Sequence, residues 1–368
     1  MKLGLGIREP TEERLRYVKQ LGCDGVTCFA QAMPSYAERG AATVDDVASL
    51  QASIQAYDLE LLVIRLDPKA TYATLFGKPE RDREIENICA TLRAAGQVGV
   101  PTVFFNLTPW RSLDTAWPDT EGIPRGTEDD LRPGSGPGRY YRHEGRGGAV
   151  LLTHSSDRAE EDARHSPPES TAPEGEISAE KMWEHLTYLY ERIIPVAEEA
   201  GVNVGAHPDD PPERVYRGVE QVLNSVEGLK RLVELVPSSR NGLLFCIGTV
   251  HEMGADAMAA ITHFLEHGKI FSAHFRNPSG SLPAGRYCED FLDMGDLDML
   301  EVMRLFHEHD YQGVLDPDHA IGIVEDERGR VGFAWELGYM KALMQRLGCK
   351  RQERAEEPST LMEKRKRF

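Results

Sequence analysis

No run of about 18 consecutive apolar residues occurs in this 368-residue chain, so the sequence offers no membrane-spanning helix. Met1 to Pro10 lacks the basic segment and apolar core of a secretory leader, and the expected location is cytoplasmic. Cysteine is scarce. Cys23, Cys28, Cys89, Cys246, Cys288 and Cys349 are scattered without the spacing of a disulfide framework, so most are expected as buried thiols, and any special one must be identified by its neighbours. Positive charge is also in deficit: 42 Lys and Arg stand against 60 Asp and Glu, a formal charge of -18. That balance repels polyanions and argues against nucleic acid or an anionic membrane surface as the main partner. A metal-binding or small-molecule role stays open.

What is present is 40% hydrophobic and 28% charged sequence, enough for a large core and a soluble surface. Short apolar runs recur at 3–7, 25–29, 60–66, 102–106, 202–206, 242–246, 270–274 and 313–317. Helical-period stretches lie between and after them, at 12–21, 44–57, 81–97, 178–200, 219–236, 255–267, 298–309 and 333–347. Alternating, nearly all-apolar strands imply a parallel sheet covered by helices, and eight repeats point to closure into a (β/α)8 TIM barrel. Several helices end at glycine before the next strand, as at Gly22, Gly201 and Gly268. The expected organisation is one barrel domain over 1–348 and a charged tail over 349–368, frayed and polar rather than an oligomer contact or anion site.

One segment breaks the rhythm. Residues 107–177 follow the fourth strand and are rich in Gly, Pro, Ser and charge. Loops after barrel strands lie on the catalytic face, so this insertion is expected as a lid carrying Trp110, Trp117, Tyr140 and Tyr141, with a solvated charged part. The alternative is a mobile surface excursion.

Catalytic groups of a barrel sit at the C-terminal ends of its strands. The fifth run leads into His207-Pro208-Asp209-Asp210, the sixth ends at Cys246, the seventh leads into His274-Phe275-Arg276-Asn277, and the eighth into Asp316-Pro317-Asp318-His319. A lone strand-end histidine or buried cysteine is ordinarily structural. His207, Cys246, His274 and Asp318, delivered by four consecutive strands to one rim, are together a ligand set for a borderline first-row metal and unsuited to magnesium or calcium. Manganese or iron(II) with five or six ligands would leave room for substrate, whereas zinc with four would be nearly closed. Around this set, Arg276 is a candidate clamp for a substrate carboxylate, with a salt bridge to a neighbouring acid as the alternative. Asp209 and Asp210 could orient His207 or meet substrate hydroxyls, and Asn106 could bind a hydroxyl or cap a turn. His319 is the acid/base candidate, with a structural role beside the metal ligands as its rival.

Taken together, Ile193 to Pro212 with its His-Pro-Asp-Asp-Pro-Pro string, Asn241 to Cys246, Ala273 to Asn277, Gly295 to Met299 and Pro317 to His319 resemble the metal-dependent D-mannonate dehydratases. The resemblance implies a xylose-isomerase-like barrel holding Mn²⁺, with Fe²⁺ as a possible substitute, on His207, Cys246, His274 and Asp318. It implies loss of water from a six-carbon aldonic acid to give a 2-keto-3-deoxy acid. Asp318 and Asp210 join His319 as catalytic candidates, and Asn277 joins Arg276, Asn106 and Asp209 as substrate-binding ones. Three places depart from the family: Leu5-Gly6-Ile7 stands for an aromatic triplet, Asp316 and Ile321 for two arginines, and Phe333 and Trp335 for a tyrosine and an arginine. These departures keep a second reading open, a sugar isomerase or epimerase on the same metal acting on an uncharged sugar. Either reading expects a small sugar acid or sugar as partner and a homo-oligomer, dimer or higher.

Overall fold

The computed structural model describes residues 1–107, 141–157, 177–216, 218–326 and 329–349. The first apolar run forms two short strands, β1 (Lys2–Leu3) and β2 (Gly6–Ile7). The next three give β3 (Gly25–Phe29), β4 (Glu60–Arg65) and β5 (Thr102–Asn106). After the insertion, which contributes β6 (Tyr141–Glu144) and β7 (Val150–Ser155), comes β8 (Asn203–His207). A small ribbon, β9 (Val215–Tyr216) and β10 (Val219–Glu220), precedes β11 (Asn241–Cys246), β12 (Ile270–Phe275), β13 (Asn277–Ser281), β14 (Arg286–Asp290) and β15 (Val314–Pro317).

The main sheet runs β1-β15-β12-β11-β8-β5-β4-β3-β2, with parallel pairing throughout. Its two ends are the halves of one broken strand. Lys2 and Gly4 donate to Gly313 and Leu315 on one side, while Leu3 and Leu5 accept from Asp24 and Thr27 on the other, so the sheet closes into the expected barrel. Gly4 lies in the break, and a side chain there would be excluded: a Cβ would stand 2.0 Å from Asp316 Oδ1.

Strand alternation divides the core. Val103, Phe105, Leu243, Phe245 and Leu315 face the surrounding helices, and Leu62, Val63, Phe104, Leu244 and Val314 fill the barrel itself. The longest helix, Ala179–Ala200, begins at Ser178, whose hydroxyl accepts from the Lys181 N–H, and stops at Gly201 in the left-handed region. It buries Met182, Leu186, Leu189, Ile193 and Ala197, a stripe at three- and four-residue spacing. Among the described residues, no helix is long and apolar enough to cross a membrane.

Two expectations need correction. The helix expected over 219–236 is shorter, Val226–Leu235, because Val219–Glu220 pairs with Val215–Tyr216 as a ribbon. A helix not anticipated, Ile247–Glu252, follows Cys246 directly. The described part of the insertion supplies two strands of an antiparallel sheet ordered β13-β14-β7-β6, whose other half continues straight out of β12. That sheet is tied to the loops after two barrel strands: Val150 and Gly322 exchange backbone hydrogen bonds, and His154 Nε2 lies 2.7 Å from Glu213 Oε1. The expected lid residues Trp110, Trp117 and Tyr140, most of the charged part, and the tail beyond Cys349 lie outside the described residues; the Tyr141 backbone belongs to β6.

Candidate metal centre at the barrel mouth

Inward-facing positions at the C-terminal ends of β8, β11, β12 and β15 converge. One ligand atom from each of His207, Cys246, His274 and Asp318 lies within 4.8 Å of the others. The register places Cys246 beside His274, and His274 beside Asp316. His207 Nδ1 is 2.7 Å from the Pro208 carbonyl, which as acceptor fixes the ring N–H there and leaves the lone pair on Nε2. The His207 and His274 rings stand 5.1 Å apart. His274 Nδ1, though buried, has no aligned hydrogen bond even with Asp318 Oδ2 at 3.2 Å. A buried, unbonded ring nitrogen beside a carboxylate is the arrangement expected of two groups that share a third partner, a cation. The Thr249 N–H donates to Cys246 Sγ at 3.5 Å, and burial pushes that thiol well above its usual range, against the nearby Arg276 charge. Coordination would remove that penalty by replacing the proton. The residues present therefore fit a metal ion.

Behind the cluster sits an unusual concentration of buried charge. Arg276 is 2% exposed and its guanidinium reaches Asp210 at 3.4 Å, Glu252 at 3.1 Å, Glu289 at 3.1 Å and Asp318 at 3.2 Å. Thr249 Oγ1 also accepts from it at 2.7 Å. Room for this side chain comes from Gly248, where a Cβ would fall 2.5 Å from Arg276 Nε. Four carboxylates around one guanidinium cannot all ionise cheaply in a dry site. Burial accordingly drives Glu252 well above the carboxylate range despite Arg276. For Asp318 burial works the same way, but His274, His319 and Arg276 outweigh it and hold the carboxyl well below. Asp316, which accepts from Thr27 Oγ1 at 2.7 Å, is pushed by burial up to about 6.

The candidate proton-transfer group lies at the edge of this network. His319 has a left-handed backbone, φ 51°, a conformation that costs a non-glycine residue energy and tends to persist where function demands it. Its Nδ1 is 2.6 Å from Glu289 Oε2 and its Nε2 is 3.7 Å from Asp318 Oδ1. Asp210, Glu289 and His319 form a second group with atoms within 4.8 Å, and Arg276 Nη1, 2.8 Å from His319 Nδ1, is the cation already among them.

The sequence-predicted residues thus divide. His207, Cys246, His274, Asp318, His319 and Asp210 come together, and Asn106 ends β5 beside His207. Three of the expected substrate-binding residues have protein partners in the structure. Arg276 is held by buried acids rather than offered as a fork to a substrate carboxylate. Asn277 donates to the Leu292 and Leu297 carbonyls and accepts from the Leu297 N–H, which fixes the 291–297 loop and uses its amide. Asp209 accepts from the Leu223 N–H at 2.7 Å and so anchors its own loop. Sequence reasoning missed Glu252 and Glu289. The first sits in the unanticipated helix six residues past Cys246. The second reaches the mouth from β14, and no local pattern marks it. Phe333 and Trp335 are packed into apolar surroundings, Trp335 stacking on Tyr339 and meeting Phe291 edge-on.

The closed parallel barrel has a xylose-isomerase-like fold. Its fold matches a xylose isomerase domain protein from Planctomyces limnophilus with TM-score 0.54 and 14% identity, over 95% of this chain and 99% of the other. The family described as D-mannonate dehydratase (UxuA) matches residues 159–355. Mannonate dehydratase 2 of Halalkalibacterium halodurans is 30% identical over 336 residues, 87% of this chain and 90% of the relative. The crystal structure of mannonate dehydratase from Streptococcus suis serotype 2 superposes with TM-score 0.72 at 26% identity, over 95% of each chain. The chain belongs to the D-mannonate dehydratase family, a family of hydro-lyases.

Proposed function

We propose that this protein removes water from D-mannonate, giving 2-keto-3-deoxy-D-gluconate, with Mn²⁺ as its metal and Fe²⁺ as a substitute. The observation that carries the reading is the convergence of His207, Cys246, His274 and Asp318 within 4.8 Å, with His319 beside them. Two imidazoles, a thiolate and a carboxylate suit such an ion and leave coordination positions over. When bound, the ion would supply a Lewis acid for substrate oxygens. The chain's own residues would do the rest. Loss of the C2 proton to His319 places a second negative charge on the substrate carboxylate, departure of the C3 hydroxyl with a proton completes the loss of water, and the resulting enol takes a solvent proton at C3 and releases its O2 proton to become the keto acid. With Nδ1 held by Glu289, Nε2 is the atom of His319 in position to exchange that proton. Asp210 and Arg276 keep His319 and Glu289 in place from behind. Asn106, at the end of β5, is assigned to a substrate hydroxyl. Cytoplasmic location and assembly into a dimer or larger homo-oligomer belong to the same proposal, the first supported by the acidic sequence without an apolar span.

The test is incubation of the manganese-loaded protein with D-mannonate in deuterated water. A 2-keto-3-deoxy product carrying solvent deuterium is expected. Exchange of deuterium into an aldose or ketose without loss of water would replace this reading by the isomerase one, and no reaction with any aldonate would end it.

A further inference from the structure

The turn that carries His319 is held from outside. A left-handed backbone at a non-glycine residue, φ 51° at His319, persists only where the surrounding contacts over-determine it. Two sets of contacts do so here. From the barrel side, Glu336 on the helix Arg330–Arg346 accepts from the Ile321 N–H, and Gly332 of that helix lies so close to the Ile321 carbonyl oxygen that a Cβ would stand 2.7 Å from it. From the other side comes the antiparallel sheet ordered β13-β14-β7-β6. Glu289 on β14 places Oε2 2.6 Å from His319 Nδ1, and Val150, the first residue of β7, exchanges backbone hydrogen bonds of 2.8 and 3.0 Å with Gly322. Ile321, between these two points, packs with Ala149, Leu151 and Phe291.

The sheet contacts act as one unit. Glu289 pairs in register with Leu152, two residues past Val150, so two neighbouring strands grip both ends of the 319–322 turn. The same sheet is fixed to the strands that bear the candidate metal ligands. β13 begins at Asn277, three residues after His274, and pairs with β14, while Glu213, in the loop after His207, meets His154 of β7. Glu289 also reaches Arg276 at 3.1 Å, and that guanidinium reaches Asp318 at 3.2 Å. His319 is thereby referenced to His207, His274 and Asp318 through paired backbone as well as through its own turn.

We propose that this sheet is a positioning element for the reaction: Glu289 and the Val150–Gly322 pairing set where the His319 ring stands relative to the candidate metal ligands. Glu289 is then a positioning residue that acts through His319, and residues 150–155 of the insertion serve as a frame for the base. This rests on the assignment of His319 to proton transfer above and deepens it. The sensitivity is high, because a misplacement of about 1 Å at a reacting group can cost on the order of a hundredfold in rate.

Two substitutions move the frame without removing a charge. A Cβ on Gly322 would stand 2.9 Å from Val150 Cβ and 3.1 Å from the Val150 carbonyl oxygen, so Gly322→Ala wedges the turn away from the sheet. Glu289→Asp withdraws the carboxylate from His319 by one methylene. Steady-state kinetics of the full-length, manganese-loaded variants on D-mannonate, with metal content measured, and crystal structures of the same proteins supply independent readouts. Each variant should lower kcat about tenfold or more with KM and manganese content close to wild type, and its crystals should show the His319 ring displaced. Adding Val150→Gly to Gly322→Ala removes the nearer obstacle and should restore most of the lost kcat; this pair carries the test if Glu289→Asp does not fold. Loss of stability alone would lower the yield of folded protein and leave the His319 ring in place. A kcat within twofold of wild type in metal-replete variants, or an unmoved ring, would overturn the assignment. Wild-type protein that turns over no aldonate would remove the dehydratase reading, and the ring position in the crystals would still decide for or against the frame.

Discussion

At the scale of single residues, the mouth of the barrel is governed by how few cations must serve many acids. Arg276 illustrates the point: a guanidinium at a strand end is an obvious partner for a substrate carboxylate, yet burial among Asp210, Glu252, Glu289 and Asp318 makes it a structural counter-ion. The metal-ligand candidates were legible because each terminates a strand in an arithmetic the sequence displays. Glu289 was not, because its closeness to His319 depends on a sheet whose strands come from distant parts of the chain. Glu336 offers a test of the buried acids away from the candidate metal ligands. It is buried on the helix Arg330–Arg346, and burial, reinforced by Asp318, pushes its carboxyl well above the usual range. A carboxyl whose folded pKa is raised stays protonated in the native state after the unfolded chain has ionised, so its contribution is full below the unfolded pKa and is lost as pH rises toward the folded one. Glu336→Gln should therefore gain stability relative to wild type between about pH 4 and pH 7. Urea unfolding of both proteins across that range checks the sign; a difference that shrinks with rising pH would contradict it.

At the scale of elements, alternating apolar runs and helical stretches were enough to place the eight barrel strands and most helices within a few residues. The 219–236 stretch failed because a short ribbon, Val215–Tyr216 with Val219–Glu220, interrupts what hydrophobic period alone reads as one helix. The second sheet was beyond reach for a related reason: antiparallel pairing of Val150–Ser155 with Arg286–Asp290 is a long-range choice that neither segment announces locally. This sheet carries Glu289 and is secured to the loop after β8 by Glu213, whose Oε1 meets His154 Nε2 at 2.7 Å and Ser156 Oγ at 2.8 Å. Removing that carboxylate takes a charged hydrogen-bond partner from a fully buried imidazole. Glu213→Ala should cost about 1–3 kcal/mol in urea unfolding and speed hydrogen exchange in β7 before the barrel strands. Equal exchange in β7 with and without the carboxylate would show that the tie does not hold the sheet.

At the scale of the whole molecule, the closed barrel brings side chains from every part of the chain to one rim. It sorts them by sign, with acids, histidines and the cysteine on β8, β11, β12 and β15 and two arginines across from them. Composition gave only the net excess of acid; the sorting is a product of closure, since Arg8 meets the Phe29 ring on which Arg65 also stacks only once β2 pairs with β3. The central claim is that His207, Cys246, His274 and Asp318 bind one catalytic metal ion. Crystals of the full chain grown with manganese, measured on both sides of the manganese absorption edge, test it directly. The account predicts one strong anomalous peak at roughly 2.0–2.5 Å from the ligand atoms of all four residues. A protein that takes up manganese with its peak elsewhere, or shows none at this cluster, would contradict it.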